Sequence, residues 1–324
     1  MADDQQVEAA ATRGGNWERD VIRKLAESAL AEQRKARRWG ILFKSLTFVY
    51  LFVILFIALG WVGSRDGVHT GKHTAMVELS GVIEADSLAS SDSVNAGLQD
   101  AFEDKNTQGV ILRINSPGGS PVQANAINEE IRRLRGKYPG TPLYAVIDDI
   151  CASGGYYVAV AADRIFVSKA SIVGSVGVLM DGFGFTGTME KLGVERRLLT
   201  AGDNKGFLDP FSPMEPKQKQ YAQRMLGEIH QQFIEVVRNG RGKRLKEDAD
   251  TFSGLVWTGE RSVELGLADA IGDTAYVARE VIKAEQIVNF TPRENIAERF
   301  AKRFGAAMAE ALVRIAAPAS TRVR

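Results

Sequence analysis

The chain predicts an α/β fold, a mainly parallel sheet with flanking helices, preceded by one transmembrane helix. Three observations carry this reading. Short apolar runs alternate with stretches of helical period from Ala75 onward. Glycine-rich turns follow several of the apolar runs. A charge-free stretch from Leu46 to Val62 lies ahead of all of them. Strand and helix in alternation require crossover connections, and crossovers join parallel strands.

Residues 1–40 are polar with alternating charges, and are read as a cytoplasmic segment. Val21, Ile22, Leu25 and Leu30 mark either a weakly amphipathic helix or a disordered arm there. Residues 41–62 form the membrane segment. A helix rising ~1.5 Å per residue needs about 20 residues to cross a hydrocarbon core. Trp39 and Trp61 flank the run, where amphipathic rings favour the interface. Arg34, Lys35, Arg37, Arg38 and Lys44 precede it or mark its start, whereas Arg65 and Lys72 follow. That bias leaves the N-terminus in the cytoplasm and puts the rest of the chain across the membrane. The alternative, a cleaved signal peptide ending near Ala58-Leu59-Gly60, would need a charged leader of roughly 40 residues, far beyond the usual length. Residues 63–74 read as a tether.

Residues 75–290 form the folded domain. Met76–Leu79, Val110–Ile114 and Pro142–Ile147 read as strands, with Arg164–Val167 and the 172–179 region after them. Ala126, Ile127, Ile131 and Leu134 share one side of a helix over 124–135. A short helix follows Ser153, and a long one runs from Lys217 to Asn239, with Ala222, Leu226, Ile229, Phe233 and Val237 at spacings of three and four. Residues 291–324 are an amphipathic C-terminal tail, with a stripe of Ile296, Phe300, Phe304, Met308, Ala311 and Ile315 beside basic residues.

Composition excludes several classes. The 324 residues carry a net charge of +1, which gives no overall basic surplus for nucleic acid. The single cysteine, Cys151, rules out an intramolecular disulfide framework and reads as a small buried residue. No zinc-type Cys/His spacing and no His-Glu-x-x-His motif occur, and no cofactor is implied.

The chemistry gathers in three segments. Ala152-Ser153-Gly154-Gly155-Tyr156-Tyr157 offers a serine before two glycines at a strand-to-helix turn. Asn115-Ser116-Pro117-Gly118-Gly119 closes a strand with glycines whose N–H groups can approach a substrate closely. Ala201-Gly202-Asp203-Asn204-Lys205-Gly206 places a lysine in a loop. A serine hydroxyl needs a base. The three histidines are poorly sited: His69 and His73 near the membrane segment, His230 inside the long helix. Lysine can replace histidine if burial disfavours its ammonium form. Phe207, Leu208, Pro210 and Phe211 are expected to bury Lys205, with Asp203 and Asp209 pointing away or capping backbone. Leu179, Met180, Phe183 and Phe185 are expected in ordinary core packing, with the lining of an apolar pocket as the alternative.

Five ordered segments over residues 75–281 resemble the signal peptide peptidase A family, in its short single-repeat form. They are Arg113–Gly119, Ala152–Tyr157, Gly174-Ser175-Val176-Gly177-Val178, the Lys205 loop with Asp209-Pro210-Phe211, and Trp257–Glu260 running on to Gly266–Asp269. The resemblance implies a Clp-protease/crotonase-like fold and a serine endopeptidase with a Ser/Lys dyad, anchored in a bacterial inner membrane. It implies Ser153 as nucleophile and Lys205 as general base, Gly119 and Gly154 as oxyanion donors, and Ser175 as the residue that holds the lysine. It further implies signal peptides as substrates and a homo-oligomeric ring, with Lys205 serving either its own Ser153 or that of a neighbour. Gly254-Leu255-Val256 departs from the family, which more often has a basic residue after that glycine, and is expected to matter only for local packing. Two other readings stay open: a crotonase-like acyl-CoA enzyme, and a membrane scaffold with a vestigial peptidase site.

Overall fold

A computed structural model describes residues 3–58 and 71–292. The described residues fall into two units, a single N-terminal helix and an α/β domain. The helix, α1, runs from Asp3 to Ala58. Residues 3–40 are therefore continuous helix with the apolar segment rather than a disordered arm. Among the described residues, Glu32–Leu55 is the one helical stretch long and apolar enough to cross a membrane. Its large apolar side chains, Phe48 and Leu46 among them, are exposed within their own unit. Such a helix fits a membrane anchor. Residues 59–62 and most of the tether lie outside the described residues, as does the C-terminal stripe from Ile296 to Ile315.

The domain is built from β1 (His73–Ser80), α2 (Ser91–Glu103), β2 (Thr107–Ser116), α3 (Pro121–Lys137), β3 (Leu143–Ala152) and α4 (Gly154–Ala159). Then come β4 (Arg164–Val167), β5 (Ile172–Gly174), α5 (Thr186–Leu192), α6 (Pro216–Arg241), β6 (Val256–Thr258), α7 (Gly259–Glu264), β7 (Ala270–Ile271) and β8 (Ile287–Asn289). The strands form one sheet in the order β6-β5-β3-β2-β1-β8, with β4 beside β3 and β7 beside β4. Every pairing is parallel except β5 with β6. This is the α/β architecture with a mainly parallel sheet that the sequence predicts.

Strand β3 is the pivot. Its first half, Tyr144–Ile147, pairs with β4, and its last residues, Ile150–Ala152, pair with β5. The sequence places the end of this strand at Ile147, because Asp148 and Asp149 interrupt the apolar run. The structure carries it on to Ala152. Asp148 accepts an ion pair from Arg113 Nε at 2.8 Å, and Asp149 accepts a hydrogen bond from Asn115 Nδ2 at 3.0 Å, so both carboxylates are satisfied on the neighbouring strand. Strand β5, in contrast, ends at Gly174, and residues 175–179 are not strand.

The main core lies on one face, where Val77, Leu79, Leu112 and Ile114 meet Leu98, Ile127, Ile131, Tyr156 and Phe233. Ile111, Val146, Phe166, Val277 and Ala278 form a second core on the other face. Both faces of a parallel sheet are thus covered, which accounts for its continuous apolar strands. Helix α2 goes unread in the sequence, although the Ser90 hydroxyl accepts from Ser93 N–H as an N-cap and Val94, Leu98, Ala101 and Phe102 share its buried face.

A buried ion pair ties α6 to the segment before β7. Arg241 is 1% exposed. Its Nη1 and Nη2 donate to Asp269 at 2.9 and 3.0 Å, and its Nε donates to the Gly266 carbonyl at 2.8 Å. Asp269 also accepts from Ile165 N–H at 2.7 Å. Burial works to raise the Asp269 pKa, but the Arg241 guanidinium outweighs it and holds the carboxyl below its usual range.

Candidate active site

The site lies where β2, β3 and β5 end side by side. Ala152 pairs with Gly174, so Ser153 and Ser175 each follow the last paired residue of adjacent parallel strands. Ser153 N–H donates to the Gly174 carbonyl at 2.9 Å, and its own carbonyl accepts from Tyr157 N–H at 2.9 Å, which starts α4. Between these two bonds the chain must reverse within one residue. Ser153 therefore takes φ 50° and ψ −122°, a conformation that residues with a Cβ rarely adopt. Ser175 also has a positive φ, 53°, and its N–H donates to the Leu255 carbonyl at 2.7 Å. The Leu255 departure thus sits on a segment that holds Ser175, and Gly254 beside it lines the cleft. That segment belongs to the site itself, beyond local packing.

The second wall is the turn after β2. Ser116 Oγ donates to the Gly81 carbonyl at 2.6 Å and accepts from Gly118 N–H at 3.1 Å, fixing the entry to Pro117-Gly118-Gly119. Gly118 and Gly119 have φ of 101° and 148°. A Cβ on Gly118 would stand 2.7 Å from Gly154 N, so this turn and the start of α4 meet backbone to backbone. A Cβ on Gly119 would overlap the backbone of Ile83, with which Gly119 forms a parallel bridge. The bridge uses the Gly118 carbonyl and the Ser120 N–H and leaves Gly119 N–H facing away from it. Among the described residues no hydrogen bond takes up Gly119 N–H or Gly154 N–H, and the Ser153 and Ser175 hydroxyls have no partner.

These four residues line one cleft of about 1120 Å³. Helix α6 forms its far wall with Ile229, Phe233 and Val236. Tyr157 forms another part, its ring centroid 5.1 Å from that of Phe233 and its hydroxyl donating to Asn125 Oδ1 at 2.8 Å. Burial raises the Tyr157 pKa, so the phenol keeps its proton at neutral pH. The sequence reads Phe233 as part of an apolar stripe and cannot show that one edge of the stripe faces an open cleft. His230 directs its Nε2 to the Val176 carbonyl at 3.1 Å and is not among the residues that line the cleft. Cys151 is fully buried and its thiol is pushed well up by desolvation, as fits an inert core residue.

Lys205 stands apart. It is exposed and is not among the residues that line the cleft. The apolar neighbours expected to bury it go elsewhere. Phe207 packs edge-on against Tyr221 at 5.5 Å, and Phe211 stacks on Phe185 at 5.5 Å with the Arg196 guanidinium over its ring. Asp209 is held by Ser212 Oγ at 2.7 Å and by Arg196 at 3.3 Å, and these partners lower its pKa. Much of the arm around Lys205 is open. Leu179, Phe183 and Leu199 are 80%, 81% and 96% exposed, and α5 buries no residue. The expectation of core packing for Leu179, Met180, Phe183 and Phe185 is therefore overturned; of the four, Leu179 reaches the cleft.

A strained serine between unspent backbone amides, at the ends of parallel strands, has the parts that a serine hydrolase centre requires. Residues 136–288, just under half of the chain, match peptidase family S49. A protein named signal peptide peptidase SppA in Enterococcus faecium is 30% identical over 189 residues, 58% of this chain and 54% of that one. Protease 4 of Haemophilus influenzae is 31% identical over 219 residues, 66% of this chain and 35% of that one. A protein named Na(+)/H(+) antiporter NhaA in Brucella melitensis is 43% identical over 187 residues, 58% of this chain but 25% of that one. The chain thus spans less than two thirds of each of these relatives.

Proposed function

We propose that this protein is a membrane-anchored endopeptidase that hydrolyses membrane-derived peptides such as cleaved signal peptides, with Ser153 as nucleophile and Lys205 as general base. The observation that carries the reading is the turn at Ser153, which holds a hydroxyl without a hydrogen-bond partner beside the free N–H groups of Gly119 and Gly154. In the reaction Lys205 takes the Ser153 proton as Oγ adds to the scissile carbonyl. The two N–H groups receive the developing oxyanion. The protonated lysine passes its proton to the leaving amine, and the acyl-serine forms. Water then adds, giving its proton to Lys205, and the lysine returns that proton to Ser153 as the acid product leaves. Ser175, one strand away, orients the amine.

Lys205 reaches Ser153 across subunits in this proposal. Its absence from the lining of its own cleft supports that arrangement, and so do the exposed apolar side chains on its arm, which a second copy would cover. The same contact would remove water from the amine, which its own chain does not do. Repetition of a head-to-tail contact closes a homo-oligomeric ring. The distribution of basic residues around α1 supports an N-terminus in the cytoplasm and a peptidase domain across a bacterial inner membrane, with one span. No cofactor and no nucleic acid enter the scheme.

The test uses a serine-directed phosphonate and an apolar leader peptide. Ser153 should be labelled in the wild type and unlabelled in S153A and K205A, and both variants should lose turnover. Mixed oligomers of S153A and K205A should recover part of it. Full turnover by S153A would overturn the reading, and absence of any recovery in the mixture would remove the shared site.

A further inference from the structure

The cleft is apolar along one wall and carries one charge. Of the residues that line it, Glu235 alone is ionisable as an acid or a cation at neutral pH. It projects from α6, whose Ile229, Phe233 and Val236 make an apolar wall and whose Gln232, Glu235 and Asn239 make a polar flank, successive members being three or four residues apart. Glu235 is exposed and makes no ion pair among the described residues. The nearest cation on its helix, Arg238, is already committed to both carboxylate oxygens of Glu247 at 2.8 and 2.7 Å and lies over the Phe252 ring. The cleft therefore presents, beside an apolar trough, a negative charge that makes no ion pair among the described residues and is offset only at longer range by Arg238.

The length of this wall fits a peptide. From Ile229 to Asn239 the helix rises about 15 Å at ~1.5 Å per residue. An extended strand covers that distance in about four or five residues at ~3.3 Å each. A bound segment of this length would lay apolar side chains on Phe233 and Val236 and could bring one side chain to the flank. We infer that Glu235 is a specificity-determining residue which selects peptides carrying a lysine or arginine within a few residues of an apolar run, and disfavours those with an acid there. This rests on the peptidase reading above and names its substrate class more narrowly. A cationic stretch leading into an apolar one is the composition of the front half of a secretory signal peptide. The preferred cut would then fall near that junction.

The experiment takes the full-length protein in detergent with an apolar host peptide bearing Lys, Gln or Glu at one scanned position. Cleavage is read by mass spectrometry, and binding by fluorescence anisotropy with S153A, so that selectivity is measured even where turnover is absent. An exposed ion pair is worth about 0.2–1 kcal/mol, so Lys should be favoured over Gln by up to about five-fold, and over Glu by more. The preference should sit in KM rather than kcat and shrink as salt rises. E235Q should flatten it and E235K should reverse it. Equal treatment of the three peptides by the wild type, or an unchanged order in E235K, would overturn the inference. Retained turnover in S153A would instead strike the peptidase reading and leave the binding result to stand separately.

Discussion

Replacing Arg241 by methionine tests what holds α6, and with it the cleft wall, against the sheet. The side chain is 1% exposed and ends in three hydrogen bonds, two to Asp269 and one to the Gly266 carbonyl. Methionine keeps much of the apolar stem and removes the charge. Asp269, whose side chain is 10% exposed, would keep the Ile165 N–H and a weaker contact from Arg244 at 3.2 Å. Removing one member of a buried pair typically costs about 3–5 kcal/mol, because the other charge remains without adequate compensation. In a domain of roughly 150–250 residues each kcal/mol moves Tm by about 2–4 °C, so R241M should lower it by ~6–20 °C. The double variant R241M/D269L removes both charges and should recover most of the loss. The sign of the pH dependence follows from the depressed Asp269 pKa. Its contribution is present above the unfolded value near ~3.9 and is lost as pH falls through the lower folded value. Urea midpoints of the wild type should therefore drop below about pH 4, and R241M should show a shallower acid limb. A Tm within ~2 °C of wild type, or a double variant no better than the single one, would refute the argument.

Other perturbations separate the parts of the site. G119A puts a Cβ into the backbone of Ile83 at φ 148° and should lower Tm and abolish peptide hydrolysis; normal activity in a folded G119A would show that the turn yields more than its packing suggests. L199E and F183E charge the open arm while leaving the cleft lining untouched. If a second copy covers that arm, light scattering should show smaller species and turnover should fall, whereas an unchanged mass would place the contact elsewhere.

Much of the fold is legible in the chain because its signals are local. The glycines after Ser153 and before Ser120 announce tight turns, and the apolar runs of β1 to β3 announce a buried sheet. What escapes the sequence is pairing across distance. Asp148 and Asp149 look like the end of a strand until Arg113 and Asn115 are found opposite them. Arg241 and Asp269 look like two surface charges, since nothing local marks them as partners. Lys205 is a different case. The hydrophobic residues near it suggest burial, but Phe207 packs on Tyr221 and Phe211 on Phe185, and the amine is left in solvent. Apolar composition predicts that a surface will be covered and does not say by which chain.

The strain at Ser153 links stability to function in a way that can be measured at one position. Its φ of 50° with ψ of −122° costs a residue with a Cβ about 1–3 kcal/mol. The cost is sustained by bonds on either side, from Ser153 N–H to Gly174 and from Tyr157 N–H to the Ser153 carbonyl. Alanine at 153 carries the same cost and lacks the hydroxyl. Glycine escapes it, but loses about 0.5–1 kcal/mol through its freer unfolded chain. S153G should therefore be more stable than S153A by roughly 0.5–2 kcal/mol in urea unfolding, with both inactive. Such a gain would mean that the fold holds this residue against its own backbone preference, so that the hydroxyl is aimed before a peptide arrives and little reorganisation remains for the reaction. Equal stability of the two variants would limit the strain to the roughly 0.5–1 kcal/mol that glycine loses, and a glycine less stable by about that amount would show that the turn stores none, leaving the positioning of the hydroxyl to the substrate or a neighbouring subunit.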